Sequence, residues 1–272
     1  MSGDPEAGAA SAAAPDRGTC PLPEGWRLLA HDVVGSTSDV AKALARDGAA
    51  HGTVVTARRQ EAGRGRRGRA WTSPEGNLLA SIVLRPGGRP ARAAQLSFVA
   101  AIAVAEALCA LVPDAVAVRC KWPNDVLLDG AKVSGILLES ETTAGGTVDW
   151  LVVGIGVNVL HHPDDALYPT TSLRAAGAAV RGPEDVLEPL AAALDRWERR
   201  WAAQGFAPVR AAWLSVAHGR GGPVTARLDN ATFQGRFADV DEDGALVIET
   251  AEGGLRRIAA GDVFFGGQPG SA

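Results

Sequence analysis

The spacing of apolar positions divides the chain into a long mixed region and a short region of strands alone. Helical and strand patterns alternate irregularly over residues 25–218, without a regular βαβ repeat. This alternation predicts an α+β domain in which a mixed sheet packs against helices. The predicted strands cover 53–57, 77–84, 116–122, 126–128, 133–139 and 150–159, and the predicted helices cover 40–45, 93–111, 184–203 and 209–214.

The C-terminal region carries only short alternating runs, which are separated by turns rich in Gly, Asp and Asn. A glycine-rich stretch at 219–223 marks its start. The pattern predicts a small all-β domain over 219–268, with the form of an SH3-like β-barrel. The runs cover 224–228, 232–240, 245–250 and 255–259.

The N-terminal residues 1–24 are rich in Ala, Gly, Pro and Ser and show no periodicity. They lack the basic start and apolar core of a signal peptide, so we predict a disordered tail. This segment is also too short and too poor in core residues to form a winged helix-turn-helix. The large α+β domain is therefore expected to occupy 25–218.

The strand at 150–159 has two different faces. Its odd-numbered positions from 151 to 159 are all apolar, which predicts that they face the core. Gly154, Gly156 and Asn158 lie on the opposite face. Two glycines there leave room for a flat group against the backbone, although a helix packed closely at the glycines explains them equally well.

Composition and charge argue against two classes of function, nucleic-acid binding and zinc binding. The net charge is -4 and the pI is about 5.8, so non-specific nucleic-acid binding is a poor fit. The three cysteines, Cys20, Cys109 and Cys120, match no zinc-binding spacing. We expect a reduced cytoplasmic compartment and no apolar run long enough to span a membrane.

One short stretch, residues 63–71, concentrates unusual chemistry. Four arginines and three glycines fall within its first seven residues, and Trp71 closes it. Glycine permits close approach of the backbone, and arginine matches phosphate or carboxylate groups. We call this stretch the Gly-Arg loop. Its composition predicts a mobile loop that closes on an anion as a lid. A solvated nucleic-acid patch is the alternative.

Other polar positions are ambiguous when each is taken alone. Ser36 and Thr37 precede a predicted helix, and a simple helix cap is the favoured interpretation there. Lys121 ends a strand beside an Asn-Asp turn, and Lys132 begins the second strand of a hairpin. Each lysine is either a solvated edge residue or a cation that faces a site.

Five motifs occur in a specific order. They are Gly35-Ser36-Thr37-Ser38, the run Gln60 to Trp71, Lys121-Trp122-Pro123-Asn124-Asp125, Lys132-Val133-Ser134-Gly135-Ile136-Leu137 and Gly154-Ile155-Gly156-Val157-Asn158. In this order they resemble the bacterial biotin–protein ligases (biotin–acetyl-CoA-carboxylase ligases) of the short class, which lacks the N-terminal DNA-binding domain. The resemblance covers about residues 26–266. It implies a catalytic domain like that of class II synthetases and biotin and lipoate ligases, followed by an SH3-like barrel.

The resemblance also implies the reaction. Biotin and ATP would be the substrates, with Mg²⁺, and biotinyl-5′-AMP would be the intermediate. A lysine of a biotin carboxyl carrier domain would then accept the biotinyl group. Lipoate–protein ligation is the alternative with the same fold, and nucleic-acid binding through the Gly-Arg loop is a third hypothesis. The resemblance allows a possible homodimer paired at sheet edges, with no DNA and no membrane as partners.

The family's site residues transfer to matching positions as expectations. Catalysis is assigned to Lys121, Arg66 and Lys132. Biotin binding is assigned to Ser36, Thr37, Ser38, Gln60, Gly63, Arg64, Gly65, Arg66, Lys132 and Gly135. Adenylate binding is assigned to Arg67, Arg69, Trp71, Lys121, Asn124, Gly154, Gly156 and Asn158. Asp125 is either a ligand of Mg²⁺ or only a turn residue.

Overall fold

The structure is a computed structural model that describes residues 21–72, 74–166, 168–228 and 230–265. Most of the predicted N-terminal tail, residues 1–20, lies outside the described residues, and so do the last three residues of the predicted C-terminal domain. Over the described part the chain builds two β-sheets and the helices that pack on the larger one. The boundaries at 25, 218 and 268 stay predictions.

A mixed seven-stranded sheet forms the centre of the large domain, as the pattern predicted. Its order is β1-β2-β3-β7-β6-β5-β4, with β1 parallel to β2 and all other neighbours antiparallel. The strands are β1 (Arg27–Val34), β2 (Thr53–Gln60), β3 (Leu78–Leu84), β4 (Val118–Lys121), β5 (Asp125–Leu128), β6 (Ala131–Thr142) and β7 (Val148–Val157).

Helices cover the two faces of this sheet unequally. One core lies between the sheet and the long helices α3 and α4, and a smaller one lies under α1. The odd positions of β7 face the larger core, as predicted from their parity. The helices are α1 (Thr37–Arg46), α2 (Pro90–Ala94), α3 (Leu96–Cys109), α4 (Glu184–Gln204) and α5 (Phe206–Ser215).

The segment Pro90–Cys109 is long and apolar enough to meet a length and composition criterion for a membrane span. The expectation that no segment would meet it was therefore wrong. Within the protein, 67% of this window is buried. Because α3 packs on β4, β5 and β6 and against α4, its apolar character all round fits a core helix.

The C-terminal residues form a second, five-stranded antiparallel sheet of order β11-β10-β9-β8-β12. The all-β prediction is confirmed, whereas closure into a barrel stays a prediction. Trp122 of the large domain donates its indole N–H to the carbonyl of Gly244, 3.0 Å away. The strands are β8 (Pro223–Arg227), β9 (Thr232–Val240), β10 (Leu246–Glu249), β11 (Leu255–Ile258) and β12 (Asp262–Phe265).

Candidate active site

A cleft of about 960 Å³ opens on the α1 face of the large sheet. Its walls come from the start of α1, the ends of β2 and β4, the Gly-Arg loop and β12. Its floor is formed by β3, β6 and β7. Of the nineteen residues predicted for the site, all except Gly63 and Arg67 line this cleft.

The glycine face of β7 forms the floor and lies against a tryptophan. A Cβ added at Gly156 would lie 2.4 Å from the nearest atom of the Trp71 ring, and one at Gly135 would lie 3.0 Å from it. These glycines therefore let the indole lie directly on the strands. The flat group predicted for this face is, in the structure, the chain's own Trp71.

Hydroxyl groups cluster at the first turn of α1. The hydroxyl of Thr37 donates to Gln60 Oε1 at 2.9 Å and lies 2.8 Å from Ser81 Oγ. The hydroxyl of Ser38 lies 3.1 Å from the same Ser81 oxygen. Ser36 is the N-cap residue, but its side chain makes no capping hydrogen bond. Ser36 therefore occupies the predicted cap position without a side-chain cap, and this turn presents polar groups to the cleft.

Cationic groups collect at the opposite end. Lys132 Nζ lies 2.6 Å from Asp125 Oδ1, and both side chains are about 15% exposed. The Tyr168 ring lies 5.5 Å from the Nζ atoms of both Lys121 and Lys132, and the Trp71 ring lies 5.6 Å from Lys132 Nζ. Burial lowers the pKa of Lys121, and Asp125 opposes that shift.

The Gly-Arg loop folds as a tight hairpin. The backbone N–H of Gly65 donates to the carbonyl of Arg69 at 2.8 Å, and that of Trp71 donates to the carbonyl of Gly63 at 2.9 Å. Between these bonds lies a short 3₁₀ turn, in which Arg67 has a φ of 55°. Gly63 thus supports the hairpin through its backbone.

The arginines of the loop contact three different parts of the chain. Arg64 donates two hydrogen bonds to Asp39, at 2.8 and 2.5 Å. This bidentate contact with Arg64 lowers the pKa of Asp39 to about 2, against a smaller effect of burial. Arg66 Nη1 donates to Asn124 Oδ1 at 3.3 Å, and burial lowers the pKa of this arginine. Arg69 pairs with Asp262.

Asn158 lies at the far end of β7 and is buried. Its side-chain amide donates to the carbonyl of Thr171 at 3.0 Å, and its backbone carbonyl accepts from Leu173. This side chain therefore anchors the irregular segment 170–173 while it also lines the cleft.

The described residues contain no group of three or more His, Cys, Asp or Glu side chains that could hold a metal ion. Asp125 is close to Lys132, which competes for its carboxylate. The side chains of the described cleft therefore do not fit a metal site held by the protein alone.

The lining residues that were not predicted include Ser81, Tyr168, His218 and Asp262. Ser81 interrupts an otherwise apolar strand, and Tyr168 is the single tyrosine of the chain, which are the only signals that could have drawn attention to them. His218 ends the predicted catalytic domain; burial and the nearby Lys121 lower its pKa. Asp262 belongs to β12, which the pattern did not predict.

Comparison with known proteins places this geometry in a family. The chain matches the Biotin/lipoate A/B protein ligase family over residues 31–158 and the Biotin protein ligase C terminal domain over residues 221–266. It is 45% identical to the biotin–acetyl-CoA-carboxylase ligase of Paracoccus denitrificans over 218 residues, which is 78% of this chain and 90% of that protein. The chain belongs to the biotin protein ligase family.

Two further members support this assignment. The bifunctional ligase/repressor BirA of Bacillus subtilis is 36% identical over 251 residues, or 89% of this chain and 75% of that protein. The biotin protein ligase of Aquifex aeolicus, solved in complex with biotin and ATP, superposes with a TM-score of 0.73 at 29% identity, covering 88% of this chain and 97% of that one. The predicted family and the α+β fold class are confirmed, whereas the barrel form of the C-terminal domain stays a prediction.

Proposed function

We propose that this biotin protein ligase joins biotin to a lysine of a biotin carboxyl carrier domain at the expense of ATP. The observation that carries the proposal is one cleft with two chemically different ends. Hydroxyl and amide groups lie at the α1 end, and Lys121, Lys132 and Arg66 lie at the other. Such a cleft suits a ligand with a polar ring system and an acidic tail that meets a polyphosphate.

In the first half-reaction an oxygen of the biotin carboxylate attacks the α-phosphorus of ATP. The bond from that phosphorus to the bridging oxygen breaks, and pyrophosphate leaves. Two anions must approach each other, and a unit charge pair at 4 Å contributes about 4 kcal/mol at an effective dielectric of 20. Lys121 and Lys132 supply this compensation from half-buried positions.

In the second half-reaction a neutral lysine amine of the carrier attacks the acyl carbon, and AMP leaves. The nucleophiles thus belong to the substrate and to the partner, so the enzyme needs none of its own. Burial raises the pKa of the Cys120 thiol to about 12 and also raises that of Cys109. Neither thiol is therefore prepared for nucleophilic attack.

The roles within the cleft follow its two ends. The hydroxyls of Ser36, Thr37 and Ser38, with Gln60, would hold the ureido ring of biotin. Trp71 and Asn158 would contact the adenine of the adenylate, and Gly154 and Gly156 would make room for it. The Gly-Arg loop would cover the intermediate, a mixed anhydride that water destroys.

The remaining expectations complete the proposal. Mg²⁺ would arrive with the phosphates of ATP rather than in a site of the protein's own, which fits the lack of a metal-binding cluster among the described residues. The acceptor would be the carrier domain of a biotin-dependent carboxylase. The exposed edge strand β1 could serve a homodimer or the carrier. A cytoplasmic location stays a prediction.

Biotin-dependent exchange of pyrophosphate into ATP tests the first half-reaction. We expect exchange with biotin and none above background with lipoate at the same concentration. Transfer of labelled biotin to a purified carrier domain, with its acceptor lysine changed to arginine as the control, tests the second. Exchange with lipoate alone would favour the alternative ligase.

A further inference from the structure

We infer that Asp262, on β12 of the C-terminal sheet, is a positioning residue that holds the Gly-Arg loop over the cleft. This inference rests on the proposed function, because the loop would retain the adenylate. It assigns to the C-terminal domain a direct part in closing an active site whose predicted residues all come from the large domain.

The contact itself joins distant parts of the chain. Asp262 Oδ2 pairs with Arg69 Nη2 and lies 3.4 Å from Arg67 Nη1, although 193 positions separate Arg69 from it. The carboxylate is 24% exposed and lines the cleft. One acidic group thus meets two cations of the loop, and a shared carboxylate constrains both guanidinium groups.

The C-terminal sheet that carries Asp262 packs against the large domain. Asp262 pairs with Arg227 in the register of β12 and β8. The sheet is docked through Phe237 of β9, whose ring lies 6.5 Å from that of Trp213 in α5 of the large domain. Trp213 in turn makes an edge-to-face contact with Phe98 of α3. The position of Asp262 is therefore set by a packed core rather than by a surface segment.

The loop, by contrast, has no such support of its own. No residue from 61 to 72 is buried, and Arg67 holds a left-handed backbone conformation that non-glycine residues rarely adopt. Apart from the contact of the Trp71 ring with the glycine floor at its end, the loop is therefore held by polar contacts. Asp39 holds the first arm of the hairpin through Arg64, and Asp262 holds the second arm through Arg69.

The second arm matters for the ligand because Trp71 follows Arg69 by two positions. Release of Arg69 would let this arm lift and would carry the indole away from Gly156. We therefore expect loss of the Asp262 contact to weaken retention of the adenylate more than it slows the chemical steps.

Two readouts on the full-length protein test this inference. Trypsin cleavage after the loop arginines, without ligand, reports how often the loop opens, and release of biotinyl-adenylate reports retention. Asp262→Asn should raise both rates several-fold, whereas Asp262→Glu should restore much of both. Asp243→Asn is the matched control, because Asp243 pairs with Arg257 at 2.5 Å in the same sheet and does not line the cleft.

The outcomes separate this inference from the proposed function. If Asp262→Asn is cleaved in the loop no faster than the wild type, or releases adenylate no faster, Asp262 does not position the loop. If the wild type shows no biotin-dependent exchange, the proposed function fails, whereas the trypsin comparison still measures the contact. Thermal unfolding of each variant shows whether a change reflects global destabilisation. As a second variant, Arg69→Gln removes the same contact from the loop side. It must reproduce the faster adenylate release if the contact is responsible.

Discussion

The floor and the lid of the cleft are built in opposite ways. Every residue of β3 is buried, and its neighbour β7 is buried along most of its length, whereas no residue of the Gly-Arg loop is. The floor is fixed by apolar side chains, each of which stabilises the fold by about 1.5–3 kcal/mol. The lid is held by exposed ion pairs, which contribute only about 0–1 kcal/mol each.

This difference separates two tasks that one site must perform. In the proposed reaction, a rigid floor would fix where the carboxylate and the phosphate meet, and small displacements there would be costly to the reaction. A weakly held lid can open for substrate and close over a water-sensitive intermediate. Four changes probe this division, from the largest expected effect to the smallest.

Gly156→Val should break the floor. Its Cβ would lie 2.4 Å from the Trp71 ring, so the indole must leave and the adenylate space is filled. We expect biotin-dependent exchange to fall about 100-fold, which corresponds to about 2.7 kcal/mol. Gly145→Val is the control, because the nearest atom to its Cβ is 3.7 Å away. An active Gly156→Val enzyme would show that this contact is not needed.

Arg66→Gly should loosen the lid without changing the floor. Arg66 is the half-buried loop arginine that reaches Asn124, so its loss removes the inward contact of the hairpin. We expect adenylate release to rise about tenfold or more, with labelling of lysines on bystander proteins. The off-rate of adenylate measures this effect, and Arg66→Lys should fall between the variant and the wild type. Retention equal to the wild type would contradict the lid role.

Ser81→Ala should weaken the α1 end of the cleft. Ser81 is fully buried and lies within hydrogen-bond distance of the hydroxyls of both Thr37 and Ser38. Loss of about 1–1.5 kcal/mol of binding free energy should raise KM for biotin about tenfold, with kcat little changed.

Ser134→Ala is the matched control for Ser81→Ala. Ser134 is another fully buried strand serine, but its hydroxyl has no hydrogen-bond partner in the described part of the chain. We expect no change in KM. Equal effects of the two substitutions would argue against a specific role of the Ser81 network.

Asp39→Asn should have the smallest effect, on stability in acid. The pKa of Asp39 is lowered to about 2 in the folded protein by Arg64, against about 3.9 for an unfolded aspartate. The contribution of its ionised form is therefore complete above about pH 4 and is lost as the pH falls towards 2.

Urea unfolding between pH 5 and pH 2.5 measures this contribution. The wild type should lose more stability over that range than Asp39→Asn or Arg64→Gln, which both lack the pair. A wild-type curve parallel to those of the two variants would show that the pair does not stabilise the folded state.

The pattern of apolar positions predicted the strands and helices that are buried, and it missed two strands at sheet edges. β1 and β12 each have one neighbouring strand. Most residues of β1 are exposed or half-buried, so it lacks a clear alternation of apolar and polar positions. These two edge strands are specified by their partner strands more than by their own sequences.

The site residues also fall into those that the sequence predicts and those that it does not. Residues inside contiguous motifs, such as Lys121 and Lys132, could be predicted because their chemistry is concentrated locally. Ser81, Tyr168 and Asp262 could not, since each acts through neighbours that are distant in the chain. Asp125 shows what the sequence alone does not predict. Its ion pair with Lys132 depends on the pairing of β5 with β6.

The sequence by itself determined the family, the α+β class, the polar face of β7 and the Gly-Arg loop. These properties are local, since they depend on periodicity, on residue type and on motif order. The tertiary structure decided which groups meet: Trp71 with Gly156, Thr37 with Ser81, and Arg69 with Asp262. Such pairs depend on strand order and on domain docking, because residues far apart in sequence become neighbours only after the core has packed.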